Sequence, residues 1–335
     1  MRPRTVTSDV TWPVTDTVTR EVTGAAPVAG YTHTPNGYSF CGTYTGTGAA
    51  LAITGLGFQP DFIIIARGAS NEGKFYQRTL LGVGNYQHLH NAIAVVDTES
   101  VTAFDADGFT LGTSTASNDT GVVYRYIAWK AVAAFSAGIA YTGTGVAKTE
   151  AHGLGATPNI IAVKNSAAAI AWGLYLSAVA SPETKRFSWV ATLPTVSTTS
   201  WNDTVPDGTN ITVGTATQTN VLAGTYIGYT MADVAGVVKI GTYTGNGNAS
   251  GPVVSGLGFS PRGLLTFNTG INNNGAQLAA SDVGASLSLV DVITLVGADT
   301  AADAFTFDAD GFTVTTASAE VNGNTNIILY IAFAA

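Results

Sequence analysis

Charged residues are scarce in this sequence. Lysine and arginine number 14 and aspartate and glutamate 22 among 335 residues, so 11% of the chain is charged, whereas soluble domains average about a quarter. The formal net charge is −8, and the basic residues are scattered apart from Arg2 and Arg4. Because a phosphate backbone repels an acidic surface that has no basic patch, the sequence predicts no nucleic-acid partner.

Cysteines and long apolar runs are also nearly absent. Cys41 is the single cysteine, which excludes an intrachain disulfide and is typical of assembly in a reducing cytoplasm. We expect it to be a small buried side chain. The most apolar stretches, such as residues 62–66 and 327–331, have the length of strands and fall short of the ~20 residues of a membrane-spanning helix. We therefore predict no membrane span and no signal peptide.

Uncharged polar residues and glycine take the place of the missing charges. Threonine favours strands because its branched Cβ suits a pleated surface. The 39 glycines and the asparagines favour the turns between strands. The composition therefore predicts an all-β chain with little helix.

Four landmarks recur three times in the same order. The first is an aromatic strand that ends in a glycine-rich turn, centred on Tyr44, Tyr141 and Tyr243. The second is a Gly-Leu-Gly turn that leads into an apolar strand through Pro60, Pro158 and Pro261. The third is an Asp-Ala-Asp-Gly hairpin at 105–108 and 308–311, with a Pro-Asp-Gly variant at 206–208. The fourth is a closing strand with alternating aromatics that starts at Tyr126, Tyr226 and Tyr330.

The landmarks keep a nearly constant spacing. The tyrosines at 44, 141 and 243 are 97 and 102 residues apart, and the closing strands at 126, 226 and 330 are 100 and 104 residues apart. Such a register across the chain indicates an internal repeat. The hairpin turns, the prolines at strand starts and the strands that are apolar on both faces predict antiparallel sheets packed in two layers.

We therefore predict three tandem antiparallel β-sandwich domains, jelly-roll-like, at residues 38–135, 136–235 and 236–335. The joints between them are short, so we expect the domains to pack against one another. Residues 1–37 fall outside the repeat and form an extended N-terminal arm in which Thr and Val alternate. Such an arm is either disordered or added as a strand to a neighbouring sheet edge, and the alternation favours the added strand.

No group of residues has the pattern of a catalytic, cofactor or metal site. Asp105 and Asp107 begin a motif like a calcium loop, but its twelfth position is Ala116 where an EF-hand needs Glu. We interpret the motif as a hairpin turn. His88 and His90 are spaced to share one face of a strand, but no third ligand is near. A surface or interface role is favoured over a metal site for this pair.

Two tryptophans are candidates for a binding surface. Trp189 and Trp201 flank a stretch of the second repeat that is rich in Thr and Ser. Most aromatic residues of a β-sandwich belong to its core. A glycan or surface contact by these two residues is the alternative interpretation.

The landmarks resemble a module of tailed-phage virion proteins that are often described as tail-fibre or uncharacterised structural proteins. The resemblance covers residues 38–335. It is clearest in Lys239-Ile240-Gly241-Thr242-Tyr243-Thr244-Gly245-Asn246-Gly247 followed by Gly256-Leu257-Gly258-Phe259-Ser260-Pro261. The second repeat contains Val163-Lys164-Asn165, and Arg67 and Asn268 stand near the position of Lys164 in the other two repeats. The resemblance implies a component of the virus particle and supplies no catalytic residues.

We expect a non-enzymatic structural protein of the virion, without a cofactor, assembled in the host cytoplasm and displayed on the particle surface. The first hypothesis is a tail-fibre-like protein or adhesin, attached to other virion proteins through residues 1–37 and facing a host surface glycan. The second is a capsid decoration or head-fibre protein held by the same arm.

A third hypothesis is a glycan-binding or glycan-degrading tailspike. A degrading tailspike would need a long parallel β-helix or a carboxylate pair in a groove, and neither is evident in the sequence. A weakly charged β protein with many strand edges is expected to form a homo-oligomer, and we predict a trimer.

Overall fold

The computed structural model describes residues 36–67, 73–89, 95–189, 195–270, 277–280, 290–291 and 304–334. The predicted N-terminal arm lies outside the described residues except for Asn36 and Gly37. The described chain is all-β with antiparallel sheets, as predicted. Its helices are α1 (Thr115–Asn118), α2 (Thr217–Asn220), α3 (Ala319–Asn322) and a 3₁₀ helix at Pro182–Thr184.

Repeat one forms a large and a small sheet. Its strands are β1 (Ser39–Thr45), β2 (Leu51–Thr54), β3 (Phe62–Arg67), β4 (Lys74–Gln77), β5 (Asn85–His88), β6 (Val95–Val96), β7 (Val101–Asp105), β8 (Gly108–Leu111) and β9 (Val123–Trp129). The large sheet has the order β1-β9-β3-β4-β5-β6, and the small sheet has the order β2-β8-β7.

Repeat two has the same plan with a reduced small sheet. Its strands are β10 (Ser136–Thr142), β11 (Lys148–Ala151), β12 (Ile160–Asn165), β13 (Gly173–Leu176), β14 (Lys185–Arg186), β15 (Thr195–Val196), β16 (Asn210–Val213) and β17 (Thr225–Met231). The large sheet is β10-β17-β12-β13, the small sheet is β11-β16, and β14 pairs with β15.

Repeat three returns to the plan of repeat one. Its strands are β18 (Val238–Thr244), β19 (Val253–Ser255), β20 (Pro261–Asn268), β21 (Gln277–Ala280), β22 (Val290–Asp291), β23 (Phe305–Asp308), β24 (Gly311–Val314) and β25 (Ile327–Ala334). The large sheet is β18-β25-β20-β21-β22 and the small sheet is β19-β24-β23. The predicted domain boundaries fall between β9 and β10 and between β17 and β18.

Each repeat has a local core built from residues of its large and small sheets. In repeat one this core contains Tyr44 and Ile63 from the large sheet and Phe109 from the small sheet. Equivalent clusters fill repeats two and three. The predicted Asp-Ala-Asp-Gly hairpins are confirmed, because β7 pairs with β8 and β23 pairs with β24 across two-residue turns.

Residues from the large sheets of all three repeats also meet in one central core. Trp129 of repeat one has its ring centroid 5.3 Å from that of Tyr229 in repeat two and 6.4 Å from that of Phe333 in repeat three. Trp189 of repeat two lies 5.0 Å from Phe267 of repeat three, centroid to centroid. Every pair of repeats is therefore in aromatic contact, and the three sandwiches enclose a shared core in addition to their own.

The two kinds of core explain why the strand after each proline is apolar on both faces. Successive side chains of a strand point to opposite sides of the sheet. In β3, Phe62 and Ile64 belong to the central core, whereas Ile63 and Ile65 belong to the local core. The predicted burial of this strand between two layers is confirmed, and the second layer is supplied by the other repeats.

The repeats are joined at one end, which we call the linker end. There the last strand of each repeat is tied to the residue that precedes its first strand. Three equivalent backbone hydrogen bonds of 2.9 Å do this, from Lys130 to Tyr38, from Ala232 to Phe135 and from Ala334 to Val237. The Asn36 amide also donates to the Ala334 carbonyl at 3.4 Å, so the start of the described chain meets the end of repeat three.

The strand register corrects the equivalence that we expected in the closing strand. Tyr141 pairs with Tyr226 as Tyr44 pairs with Tyr124. Tyr226 is therefore the equivalent of Tyr124 and not of Tyr126. The equivalence expected from the sequence is wrong by two residues in repeat two, because an aromatic residue occupies both positions in repeat one.

The register also corrects the position compared with Lys164. Arg67 of β3 and Asn165 of β12 are the residues that pair with the equivalent tyrosines of the closing strands. Arg67 therefore matches Asn165, and Lys164 matches the preceding residue, Ala66. Lys164 consequently lies on the side of its strand that faces the central core.

Candidate functional site

Two loops lie at the end of each repeat opposite to the linker end. One follows the first strand, at residues 46–50, 143–147 and 245–250, and the other precedes the last strand, at residues 119–122, 221–224 and 323–326. We call these six segments the tip loops. The first strands β1, β10 and β18 are seven residues long, so each carries its tip loop about 23 Å from the linker end.

A buried asparagine holds the two tip loops of each repeat together. In repeat two, Asn220 at the end of α2 accepts a hydrogen bond from the Thr144 amide at 2.7 Å. Its side-chain amide donates to the carbonyls of Val146 and Gly214 at 2.6 and 2.5 Å. Both the donors and the acceptor of this amide are therefore used by backbone groups.

The same arrangement recurs in the other repeats. Asn118 and Asn322 are fully buried like Asn220, and they accept from the amides of Thr47 and Asn246 at 2.8 Å. Each also donates to two carbonyls, one of them in the tip loop. The three asparagines are 102 and 102 residues apart, a more even spacing than that of the tyrosines and closing strands compared in the sequence.

A buried tyrosine holds the short helix that carries each asparagine. The hydroxyl groups of Tyr44, Tyr141 and Tyr243 donate to carbonyls in the short helices at 2.5, 2.6 and 2.6 Å. Burial raises the pKa of each of these tyrosines well above its usual value. The hydroxyls therefore stay protonated and keep donating to the helices that carry the asparagines.

The two tip loops of each repeat pass close to each other, and some backbone positions there have no room for a side chain or are left-handed. A Cβ atom on Gly143 would lie 2.0 Å from the Val221 carbonyl oxygen, so only glycine fits. A left-handed residue recurs in the second tip loop, as Gly121 with φ 77°, Ala223 with φ 60° and Thr325 with φ 63°. A β-branched residue such as Thr325 is strained in this conformation.

A carboxylate clamps the Gly-Leu-Gly turn near the linker end of repeats one and three. Asp107 accepts from the amides of Gly55 and Gly57 at 3.2 and 2.6 Å, and Asp310 does the same in repeat three. In repeat two, buried His152 replaces the carboxylate and accepts from the Leu154 amide at 3.1 Å. The aspartate that we interpreted only as part of a hairpin turn thus joins two landmarks.

The tryptophans that we considered for surface contact are both buried. Trp189 and Trp201 are each 1% exposed. Trp189 packs in the central core, and Trp201 packs on Tyr175 in the local core of repeat two, with ring centroids 5.8 Å apart. The structure does not bring them together, and their interpretation as an exposed sugar-binding face is wrong. Neighbouring Thr and Ser residues lie in polar loops, whereas the two indoles point inward.

The remaining candidate residues that the structure describes, Cys41 and His88, are both buried. Cys41 is buried and is not part of a disulfide, as predicted. His88 is buried with its ring 5.1 Å from that of Tyr86, and His90 lies outside the described residues. Across the described ranges, no three His, Cys, Asp or Glu side chains are grouped so that they could hold a metal ion. No helix in that part of the chain is long and apolar enough to cross a membrane.

Residues 34–335 match a protein family described as a domain of unknown function, DUF7483. The chain belongs to the DUF7483 family. The DUF7483 match extends over all three repeats in one piece, in keeping with a central core to which every repeat contributes. No curated protein matches the sequence.

The residues that shape the tip loops of this DUF7483 chain were not singled out in the sequence. Asn118, Asn220 and Asn322 stand in three different local sequences, and asparagine is a common turn residue. Their constant spacing was the available signal. It becomes visible only when the repeats are aligned through the closing strands in the register that the sheets have.

Proposed function

We propose that this chain is a non-enzymatic structural protein of a tailed-phage particle, a tail-fibre-like protein or adhesin displayed on the particle surface. The observation that carries the proposal is the placement of the two ends. Asn36, where the segment leading from the N-terminus enters the fold, is bonded at the linker end. The tip loops lie at the opposite end of β1, β10 and β18. A protein held by its N-terminal arm would therefore present the tip loops outward.

The way in which polar groups are used supports a structural role. Asn118, Asn220 and Asn322 hold loops, and Asp107 and Asp310 hold turns. Catalytic sites commonly keep polar groups free for a substrate, whereas these groups are used by the backbone. The resemblance of the repeats to virion modules supports the same class of function.

The proposal includes attachment to other virion proteins through residues 1–37 and assembly into a homo-oligomer, for which a trimer is the working prediction. The three repeats already bury their inner faces against one another within one chain. Contacts between copies would therefore use other surfaces, such as the N-terminal arm or strand edges. Sedimentation of the purified full chain checks this, since a trimer has three times the chain mass of 34.2 kDa.

Location of the chain in purified particles tests the proposal. Gold-labelled antibodies against the chain, viewed by electron microscopy, are expected to mark the tail. Label on the capsid surface would replace the tail-fibre role by capsid decoration. Complete absence of the chain from particles, checked by mass spectrometry, would overturn the structural role altogether.

A separate assay tests the non-enzymatic part. Purified chain is incubated with host surface polysaccharide, and the reducing ends are counted over time. No increase above a heat-denatured control is expected. Steady release of reducing ends would favour the glycan-degrading tailspike.

A further inference from the structure

The tip loops of repeats two and three are uncharged. Residues 143–147, 221–224, 245–250 and 323–326 contain no Asp, Glu, Lys, Arg or His, in a chain of net charge −8. The tip of repeat one differs, because Asp119 forms an ion pair there with Arg67. An ionic partner would find no opposite charge on the tip loops of repeats two and three, and the field of the whole chain would repel an anionic one. The loops therefore fit a partner that is itself neutral.

The tip of repeat three exposes side-chain amides. Asn248 and Asn324 are exposed, and they flank the same spot, because a Cβ on Gly247 would lie 3.1 Å from the Cβ of Asn324. Asn246 between the loops is used internally, since its side-chain oxygen accepts from the backbone N–H of Asn248 at 2.9 Å. A side-chain amide both donates and accepts, which matches hydroxyl groups that do the same.

The tip of repeat two exposes apolar side chains on the same arrangement of two tip loops held by a buried asparagine, which we call the frame. Val146 is 64% and Leu222 is 73% exposed. The two tip loops touch here as well, because a Cβ on Gly145 would lie 3.3 Å from the Cβ of Leu222. The frame is thus constant while the chemistry of the tip differs between repeats, as in other folds that carry recognition loops on a rigid scaffold.

Backbone strain is concentrated at the same place. Repeat one has Gly121 at the left-handed position of the second tip loop, where repeat three has Thr325 with φ 63°. Backbone hydrogen bonds of 2.9 Å hold this segment against the neighbouring loop, from the Thr325 amide to the Gly245 carbonyl and from the Gly245 amide to the Asn326 carbonyl. Strain that is held by the surrounding structure is found most often where residues meet a ligand, and Thr325 adds a hydroxyl beside Asn324.

We infer that the tip loops of repeats two and three bind a neutral glycan of the host surface. Asn248 and Asn324 hydrogen-bond its hydroxyl groups, and Val146 with Leu222 pack against its C–H faces. Because the frame is rigid, less binding free energy is lost to ordering of the loops. This inference rests on the proposed adhesin role and names the part of the chain that performs it.

Binding of the full chain to an array of immobilised oligosaccharides tests the inference. The array carries neutral oligosaccharides beside sulfated and phosphorylated ones. We expect binding to neutral members that changes less than about twofold between ~0.05 M and ~0.5 M salt, because uncharged contacts are not screened. The double variant N248A/N324A should lose about tenfold or more in affinity, the equivalent of two hydrogen bonds.

Matched variants separate recognition from folding. Thr149→Ala changes an exposed residue of β11, and Val253→Thr changes an exposed valine of β19, both outside the tip loops. They should bind like the unmodified chain, whereas Val146→Thr with Leu222→Ser should bind more weakly. Binding confined to charged glycans, binding to none, or full binding by N248A/N324A would overturn the inference. Gold label on the tail together with such a result would leave the virion role standing without the glycan.

Discussion

The guanidinium carbon of Arg262 lies 3.6 Å from the centroid of the Phe40 ring, although 222 residues separate them in the chain. The Arg262 Nε also donates to the Cys41 carbonyl at 2.7 Å. Arg262 follows the proline that starts β20, and Phe40 is in β1. The pair therefore closes the contact between the third and the first repeat, where the chain has no linker.

Substitutions of Arg262 should show that this contact stabilises the whole unit. Arg262→Ala is expected to lower the free energy of unfolding by about 2–4 kcal/mol, because it removes a buried cation–π contact and a charge-assisted hydrogen bond. Arg262→Lys should lose about half as much, since an ammonium lacks the planar fork. Urea unfolding followed by tryptophan fluorescence measures both. Equal stability of Arg262→Ala and the unmodified chain would contradict the role.

The buried asparagines should be far more sensitive than the exposed ones. Asn220→Asp keeps the acceptor for the Thr144 amide but removes the donors to two carbonyls and buries a charge. We expect a loss of about 2–4 kcal/mol in the free energy of unfolding. Asn324→Asp, at an exposed position of a tip loop, is the matched control and should change stability by less than about 0.5 kcal/mol. Similar losses in the free energy of unfolding for the two variants would contradict the role of the buried asparagines in holding the tip loops.

Relief of backbone strain should stabilise the tip of repeat three. Thr325→Gly removes a β-branched residue from φ 63° and should raise the free energy of unfolding by about 0.5–1 kcal/mol, the cost of the left-handed region less the entropy of glycine. The reverse change, Gly121→Ala at φ 77°, should lower it by a similar amount. Thermal unfolding of both variants shows whether each change raises or lowers the free energy of unfolding. Stabilisation by both changes would contradict the explanation.

Lys164 gives the chain a dependence of stability on pH. It is fully buried, and its ammonium donates to the Ile170 carbonyl at 2.7 Å. Burial lowers the pKa of Lys164 from 10.5 to about 8. Between these two values the unfolded chain holds a proton that the folded chain has released, so stability rises with pH across that range.

We expect the free energy of unfolding to increase by about 1–2 kcal/mol between pH 7.5 and pH 9.5. Buried tyrosines of raised pKa act in the opposite direction near the upper limit, so the increase is taken as the difference between the unmodified chain and Lys164→Met, in which the tyrosines are the same. Lys164→Met should abolish the increase, whereas Lys185→Met, at a partly exposed lysine, should retain it. A slope that persists in Lys164→Met would assign the dependence to other groups.

Local chemistry made the elements of the fold predictable. The Asp-Ala-Asp-Gly hairpins, the apolar strand after each proline and the buried Cys41 were read from patterns that depend on a few neighbouring residues. In the hairpins the role of glycine is different from the one expected. Gly108 is the first residue of β8 rather than a turn residue, and a Cβ there would lie 1.9 Å from the Ile53 carbonyl oxygen.

Contacts between repeats were not predictable in the same way. Trp129 and Tyr229 looked like ordinary members of closing strands, and nothing near them in sequence shows that they face each other. The polar neighbours of Trp189 predict an exposed position, but they belong to loops while its indole belongs to the central core. The tip loops were missed because Asn118, Asn220 and Asn322 act on backbone groups, which leave no side-chain pattern to recognise.

The central core also sets the order in which parts of the protein can fold during synthesis on the ribosome. Trp129 is synthesised 204 residues before Phe333, with which it packs, an interval of about 10–40 s at usual translation rates. During that time the inner faces of the first two repeats have no third partner and remain open to water and to chaperones. Translation of β25 is therefore the step that completes the central core, whereas the local cores of the first two repeats consist of residues made earlier.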